Sequence, residues 1–327
     1  MRLCTFEITT PSGSARRLGA VTAAGIVDLH AACAWHQRAR GHPRPIEAST
    51  ALVPPSMRTF LQGEQRSMDA AGETLDALAA AGWEGLDGPG GETLLHRPES
   101  IRLCAPLPDP VSFRDFYAFE QHVQAGFAKR GEPMPAEWYE FPVYYKGNHL
   151  AILGPEDTVR WPSFTKRFDY ELEIAVVIGR RGTDILEEDA ATHIAGYTVL
   201  NDFSARDIQR KEMRVRLGPA KGKDWATAIG PVLVTPDEIP DPRALAMRAR
   251  INGETWSEGS TSSMHWSFEQ MIAFLSRDDT VYPGELLGSG TVGDGCGLEL
   301  DRWVQPGDVM ELEIERIGVL RNRVVRS

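Results

Sequence analysis

Cysteine is scarce in this chain: four residues, at positions 4, 33, 104 and 296, with no two of them close in sequence. That spacing fits neither a disulfide framework nor a zinc knuckle, and reduced thiols in a cytoplasmic protein are the expectation. Long apolar runs are missing too. The most apolar early stretch, 18–35, is interrupted by Asp28 and His30 and is too broken to span a bilayer. The amino terminus, Met1 to Glu7, reads as a strand rather than a secretory leader. Positive charge is outnumbered, with 35 Lys and Arg against 46 Asp and Glu, for a formal net charge of -11. A nucleic-acid backbone calls for a basic stripe, so neither nucleic acid nor membrane is an expected partner. Repeats and low-complexity tracts are absent. So is a nucleophile elbow, since Gly288-Ser289-Gly290-Thr291 does not place serine in Gly-x-Ser-x-Gly. Gly218–Asp224 has the outline of a phosphate loop. However, it holds three residues between its glycines instead of four, and Asp224 stands where Ser or Thr must reach Mg²⁺.

What is present is ordinary in bulk: 42% hydrophobic and 25% charged residues over 327 positions, enough for two domains or one large one with an appendage. The first hundred residues read as a small α/β domain. Strands are expected at 3–8, 16–21 and 25–28, the first two joined by a turn at Pro11-Ser12-Gly13. Asp28 can cap a helix over 29–40. The proline-rich 41–55 reads as a loop. Helical spacing over 57–81 is interrupted near Gly63 and Gly72, and 94–102 returns to extended character. Pro106-Leu107-Pro108-Asp109-Pro110 is a stiff connection, which sets the expected boundary: 1–105 and 106–327.

Beyond it, 111–124 reads as a loop entering a short helix. Buried strands are expected at 172–178, 194–201, 227–234, 246–252, 286–290 and 309–314. The Ser- and Thr-rich 253–265 reads as a loop, and 266–275 as an amphipathic helix capped by Ser267 or a neighbour. Strands are too many and long helices too few for a doubly wound protein, so an α+β fold is expected.

Chemistry concentrates in Asp169-Tyr170-Glu171-Leu172-Glu173-Ile174-Ala175. Residues two apart on a strand share a face, so Glu171 and Glu173 project together while Leu172 and Ile174 point away. Two like charges held side by side cost energy unless a cation lies between them. Asp115 and Asp202 add carboxylates from separate segments, Asp202 directly after an apolar strand. An oxygen-only set suits Mg²⁺, Mn²⁺ or Ca²⁺. The plainer alternative is a solvated strand edge. In Phe113–His122, a helical reading puts His122 on the face of Ala118 with Asp115 about a turn further back. Such a histidine can act as a base if a carboxylate orients its second nitrogen, although a lone histidine is more often structural.

Four strings together resemble the fumarylacetoacetate hydrolase superfamily over about 106–327: Asp115-Phe116-Tyr117 with Gln121-His122; Asp169 to Glu173; Asn201 to Gln209; and Gly290-Thr291 followed by Gly297-Leu298-Glu299-Leu300. The resemblance implies a mixed β-roll with peripheral helices, usually dimeric, behind the small amino-terminal domain. It implies Mg²⁺ or Ca²⁺, with Mn²⁺ as a further option, held by Asp115, Glu171, Glu173 and Asp202. A His122–Glu299 dyad would activate water, and Lys223 and Arg206 would meet the developing negative charge. Tyr117, Tyr145, Gln209, Arg130 and Thr291 would contact the substrate. Glu299 is expected on a strand formed by 297–300, beneath the loop that carries His122. Met213 stands near a tyrosine position of the true fumarylacetoacetate hydrolases, which points to a more apolar or roomier pocket wall.

Three functional classes follow. The first is a metal-dependent hydrolase cleaving a carbon–carbon bond in a β-diketo acid, either an acylpyruvate or an aryl-substituted acid of aromatic catabolism. The second is a lyase on the same scaffold, dehydrating a 2-keto-3-deoxy sugar acid or decarboxylating oxaloacetate. The third is a non-catalytic binding protein, disfavoured because clustered buried carboxylates contribute nothing to stability without a cation.

Overall fold

A run of β-branched and apolar residues organises the centre of the molecule. In the computed structural model, which describes residues 1–10, 13–83 and 85–326, Leu172–Ile178 is a strand buried at every position. It lies antiparallel between Ile194–Asn201 and Glu285–Gly288. Its alternation divides two cores. Leu172, Ile174 and Val176 join one apolar cluster, and Ala175 and Val177 join the other. A strand covered on both faces has no polar side to show, which explains its continuous apolar character.

Among the described residues the principal sheet has twelve strands. Its path runs Leu95–His96, Gly25–Asp28, Gly13–Thr22, Arg2–Thr10, Thr227–Val234, Ile194–Asn201, Leu172–Ile178, Glu285–Gly288, Ser112–Phe116, Tyr144–Lys146. Arg102–Leu103 pairs with the first strand of the chain, and Ile152–Leu153 runs parallel to Thr227–Val234. The sheet therefore continues from the amino-terminal strands into the later ones through Leu3 opposite Leu233. A five-stranded sheet runs Glu254–Ser260, Ala246–Ile251, Val309–Ile314, Gly318–Arg326, Thr158–Trp161. The two larger sheets are mixed and the helices flank them, which is the expected α+β class.

Local signals explain much of this. Asp28 caps Leu29–Ala39, accepting from the Ala31 N–H at 3.0 Å. Ser267 and Gln270 form a reciprocal capping box at the start of Phe268–Leu275. The break at Gly63 is present, but Glu64–Ala81 runs through Gly72 as one helix, because a single glycine costs only about 1 kcal/mol in a helix interior. Three segments expected as loops carry regular structure. Pro45–Leu52 is a helix with proline at its tolerated first position. Ser112–Phe116 pairs parallel with Glu285–Gly288, and Glu254–Ser260 pairs with Ala246–Ile251. In the last two cases the partner strand, and not local propensity, decides. Of the expected turn at Pro11-Ser12-Gly13, Pro11 and Ser12 lie outside the described residues. No helix among the described residues is long and apolar enough to cross a membrane.

Candidate active site

Strand register brings the four carboxylates together. Leu172 pairs with Asn201, which puts Glu171 and Asp202 beside one another at the same sheet end. Ala175 pairs with Gly288, and Gly288 with Asp115, so Glu173 and Asp115 approach across the glycine between them. Oxygens of Asp115, Glu171, Glu173 and Asp202 all lie within 4.8 Å of one another, and all four residues are buried. Asp115 occupies Ser112–Phe116, a strand, so it does not stand one helical turn behind His122 as the helical reading expects. The nest needs its glycines. A Cβ at Gly288 would stand 2.4 Å from Asp115 Oδ1 and 3.1 Å from Glu173 Oε2. Gly290, at φ +79°, turns its N–H to Asp115 and Glu173, 3.1 Å from each.

Charge in the nest is unbalanced. Burial raises Asp115 and Glu173 well above the usual carboxylate range, and repulsion from their neighbours adds to it. Asp202 is raised by burial as well. At Glu171 burial pushes the same way, but Lys223, Arg206 and His122 outweigh it and hold the group below the usual range. The Lys223 ammonium pairs with both Glu171 and Asp202. Arg206 pairs with Glu171 at 2.8 Å and with Asp169 at 2.7 Å. Two cations thus face five buried carboxylates. An all-oxygen donor set with uncompensated negative charge, ringed by carboxylates at sheet ends, fits a hard divalent cation.

The second part of the site lies on helix ends. His122 is in the first turn of Glu120–Arg130, and its Nδ1 is 2.9 Å from Glu299 Oε2. Its Nε2 faces the nest, 3.9 Å from Glu171 Oε1. Gly297–Leu300 is a short helix, not the expected strand. Its two leucines alternate with Gly297 and Glu299 as on a strand, but its first N–H groups have a distant acceptor. Asp169 accepts from Gly297 at 2.8 Å and from Leu298 at 3.0 Å, while Arg206 Nε also donates to it. A carboxylate at a helix N-terminus satisfies donors that have no partner within the helix. Burial pushes Glu299 upward, but the bond and charge of His122, together with bonds from Cys296 and the Asp294 N–H, outweigh that and lower it overall. The Cys296 thiol donates to the same Glu299 oxygen at 3.2 Å. Cys296 also forms a bridge to Glu171, so the turn before Glu299 is fastened to the edge of the nest.

The remaining expected residues take several positions. Tyr145 donates to Asp202 Oδ2 at 2.7 Å and is a buried partner of the nest. Gln209 accepts from Arg206 at 3.1 Å. Thr291 lies 3.5 Å from Glu173 Oε1. The Tyr117 ring stands edge-on to His122, centroids 5.4 Å apart, and burial raises its hydroxyl to about 12. Arg130 sits further out, against Phe127 and 3.5 Å from Glu132. Met213 lies on Arg206–Val215 with 39% of its surface exposed. Asp169 and Cys296 received no role from the sequence. For Asp169 a signal existed: it shares the alternation of Glu171 and Glu173, two residues earlier.

Residues 112–325 match the family profile of the fumarylacetoacetate hydrolase C-terminal domain. The chain belongs to the fumarylacetoacetate hydrolase family. It is 33% identical to the mitochondrial oxaloacetate tautomerase fahd2 of Xenopus laevis, over 86% of this chain and 82% of that protein. It is 32% identical to the oxaloacetate tautomerase YisK of Bacillus subtilis (strain 168), over 71% of this chain and 76% of the relative. Among solved structures, maleylpyruvate hydrolase from Sphingobium sp. SYK-6, in complex with manganese(II) and pyruvate, shares the fold. That comparison has a TM-score of 0.68 over 100% of both chains, at 22% identity. The chain is thus a member of an enzyme family, similar in sequence to oxaloacetate tautomerases and in fold to a maleylpyruvate hydrolase.

Proposed function

We propose that this protein is a divalent-metal-dependent enzyme that moves a proton on a small 2-oxo acid, with keto–enol tautomerisation of an oxaloacetate-like dicarboxylate as its reaction. The carrying observation is the orientation of His122: one ring nitrogen bound to Glu299 at 2.9 Å, the other turned toward the carboxylate nest. The two tautomerase relatives support the substrate class.

Asp115, Glu171, Glu173 and Asp202 would hold Mg²⁺, Mn²⁺ or Ca²⁺, and such an ion would polarise the 2-oxo group and favour its enol form. Glu299 accepts from His122 Nδ1, which fixes the tautomer and leaves a lone pair on Nε2. Nε2 is then the base that removes the proton from the carbon beside the 2-oxo group, and as the conjugate acid it returns one to the oxygen or the carbon. Glu299, held ionised, stabilises the imidazolium in between. Lys223 presents a buried ammonium between Glu171 and Asp202, and Arg206 a guanidinium beside Glu171, both toward negative charge that grows as the enolate forms. Tyr117 shields His122 from bulk water, and Arg130 and Gln209 are the outer polar contacts for a second carboxylate.

Hydrolytic carbon–carbon cleavage is the second reading. It is favoured by the same dyad, because a histidine with an ionised carboxylate partner can equally take a proton from water. One experiment separates the two. Oxaloacetate enol and a set of acylpyruvates are presented with Mg²⁺, and the loss of enol absorbance is followed alongside product masses. Faster enol–keto conversion without fragments supports tautomerisation. Pyruvate plus a carboxylic acid from the acylpyruvates, with no effect on the enol, would overturn it in favour of hydrolysis.

A further inference from the structure

We propose that His122, Cys296 and Glu299 form a second cation site, separate from the all-oxygen nest, that takes a soft or borderline divalent ion such as Zn²⁺ or Cd²⁺ and silences the dyad. One nitrogen, one sulfur and one oxygen of these residues lie within 4.8 Å of one another. Two of the three separations are close to those of a filled site. Tetrahedral zinc with ordinary bond lengths sets an N–O edge of about 3.4 Å and an S–O edge of about 3.6 Å. Here His122 Nδ1 to Glu299 Oε2 is 2.9 Å, and Cys296 Sγ to the same oxygen is 3.2 Å. Opening each pair by about 0.4–0.5 Å, within the reach of side-chain rotation, accommodates the ion, with water at the fourth position.

Donor chemistry sorts the two sites. Oxygen donors alone favour Mg²⁺, Ca²⁺ or Mn²⁺, whereas thiolate and imidazole favour zinc and cadmium. Among the described residues, Cys296 is the one cysteine that belongs to either ligand cluster; Cys4, Cys33 and Cys104 are buried elsewhere.

Proton bookkeeping explains the loss of function, which rests on His122 acting as the base. The ion bonds to sulfur as the thiol proton leaves to solvent. It also bonds to Nδ1, and in the neutral ring the proton there moves to Nε2. Nε2–H no longer has a lone pair to accept a proton, and Glu299 no longer supports an imidazolium.

The test adds Cd²⁺ to the full-length protein held in excess Mg²⁺, without substrate, and follows thiolate-to-cadmium charge-transfer absorption in the ultraviolet. The expected result is a band saturating at one Cd²⁺ per chain, absent in Cys296→Ala and needing more than tenfold higher Cd²⁺ in Glu299→Gln. No band in the wild type, a full band in Cys296→Ala, or unchanged affinity in Glu299→Gln overturns the site. Turnover is then measured with Zn²⁺ against each protein's own uninhibited rate. Inhibition at more than tenfold lower Zn²⁺ in the wild type than in Cys296→Ala is expected, and equal inhibition of both overturns the switching role. The absorption readout needs no substrate, so a failure of the tautomerase reading leaves the site test intact.

Discussion

The two halves of the site are built differently. The carboxylate nest stands on strand ends: Glu173 lies within Leu172–Ile178, Asp115 within Ser112–Phe116, and Asp202 directly follows Ile194–Asn201. Each strand is locked by ladder bonds to its neighbours, so the oxygens are held close in spite of their repulsion. The dyad stands on helix ends: His122 in the first turn of Glu120–Arg130, Glu299 in the four residues Gly297–Leu300. A four-residue helix has no stability of its own. It is held by what reaches it from outside, above all Asp169, which joins its first N–H groups to Arg206. The contrast assigns rigidity to the half that would carry the ion and adjustability to the half that would move the proton.

The largest effects should come from the rigid half. Combining Asp115→Asn with Glu173→Gln removes the two carboxylates that burial and repulsion raise most, and with them the uncompensated charge. Calorimetric titration should then show no divalent-ion binding, and activity should fall to background. Retention of binding in that variant would mean that the four oxygens are not one site. Next comes Glu299→Gln, which keeps the shape and removes the charge behind the imidazole. Turnover should fall roughly 10²-fold or more, the scale of general-base catalysis, while ion affinity hardly changes. An ion affinity lost together with turnover would erase the distinction between the halves.

Asp169→Asn tests what joins them. The amide can accept one backbone N–H but presents its NH₂ to the other donors, so the Gly297–Leu300 turn and Arg206 lose their common anchor. Turnover should drop about tenfold through misplacement of Glu299. Stability should fall by about 3 kcal/mol, as when a buried pair loses one partner. The informative measurement is the double variant with Glu299→Gln: the two losses should not add, because both act through His122. Fully additive losses would make Asp169 a purely structural residue.

The same contrast decides what could be read from the sequence. The nest was legible because it depends on a period of two: Glu171 and Glu173 must share a face whatever surrounds them, and the apolar run behind them marks a strand covered on both sides. Its other members, Asp115 and Asp202, entered as nearby polar clusters and through the family resemblance. The dyad partner is legible only through resemblance, and its local structure differs from the one its sequence suggests. Gly297–Leu300 looks like a strand, and the acceptor that makes it helical is 128 residues away in sequence. Likewise Ser112–Phe116 becomes a strand because Glu285–Gly288 lies beside it. Local pattern reports what a segment can do, and distant partners decide among the options.

Acidity offers a subtler test of the nest. Raised carboxylates bind protons in the folded state at a pH where the unfolded chain has released them. With νN above νU, stability without divalent ion falls as pH rises from the ordinary carboxylate range toward the raised values of Asp115 and Glu173. Glu171, shifted the other way, acts at lower pH, where its contribution is lost as pH falls through its depressed value. Bound cation displaces the protons, so stabilisation by Mg²⁺ should increase as pH rises above the ordinary carboxylate range, by roughly 1.4 kcal/mol per pH unit for each full proton released. Thermal melts with Mg²⁺ and with chelator across that rise give the measurement. A constant gap between the two curves would show that no proton leaves when the ion binds.

The smallest expected effect lies just outside the dyad. Ser267 accepts from the Gln270 N–H at 3.3 Å, and Gln270 returns a bond to the Ser267 N–H at 3.0 Å, closing the start of Phe268–Leu275. Two residues earlier, the His265 N–H donates to Ala118 O at 2.9 Å, and Ala118 leads into the helix that carries His122. Replacing Ser267 with Ala leaves one helix donor without its cap, at a cost of about 1 kcal/mol. Ion affinity should not change, because nothing in the capping box touches the nest. Turnover should stay within about twofold if the bond from His265 holds the entry to Glu120–Arg130 in place after the cap is lost. A fall in turnover well beyond that, with the melting temperature only slightly lowered, would show that the dyad half yields to strain transmitted from a neighbouring helix end. An equal change in ion affinity would show that the strands of the nest yield to it as well, and the difference in rigidity between the two halves would no longer stand.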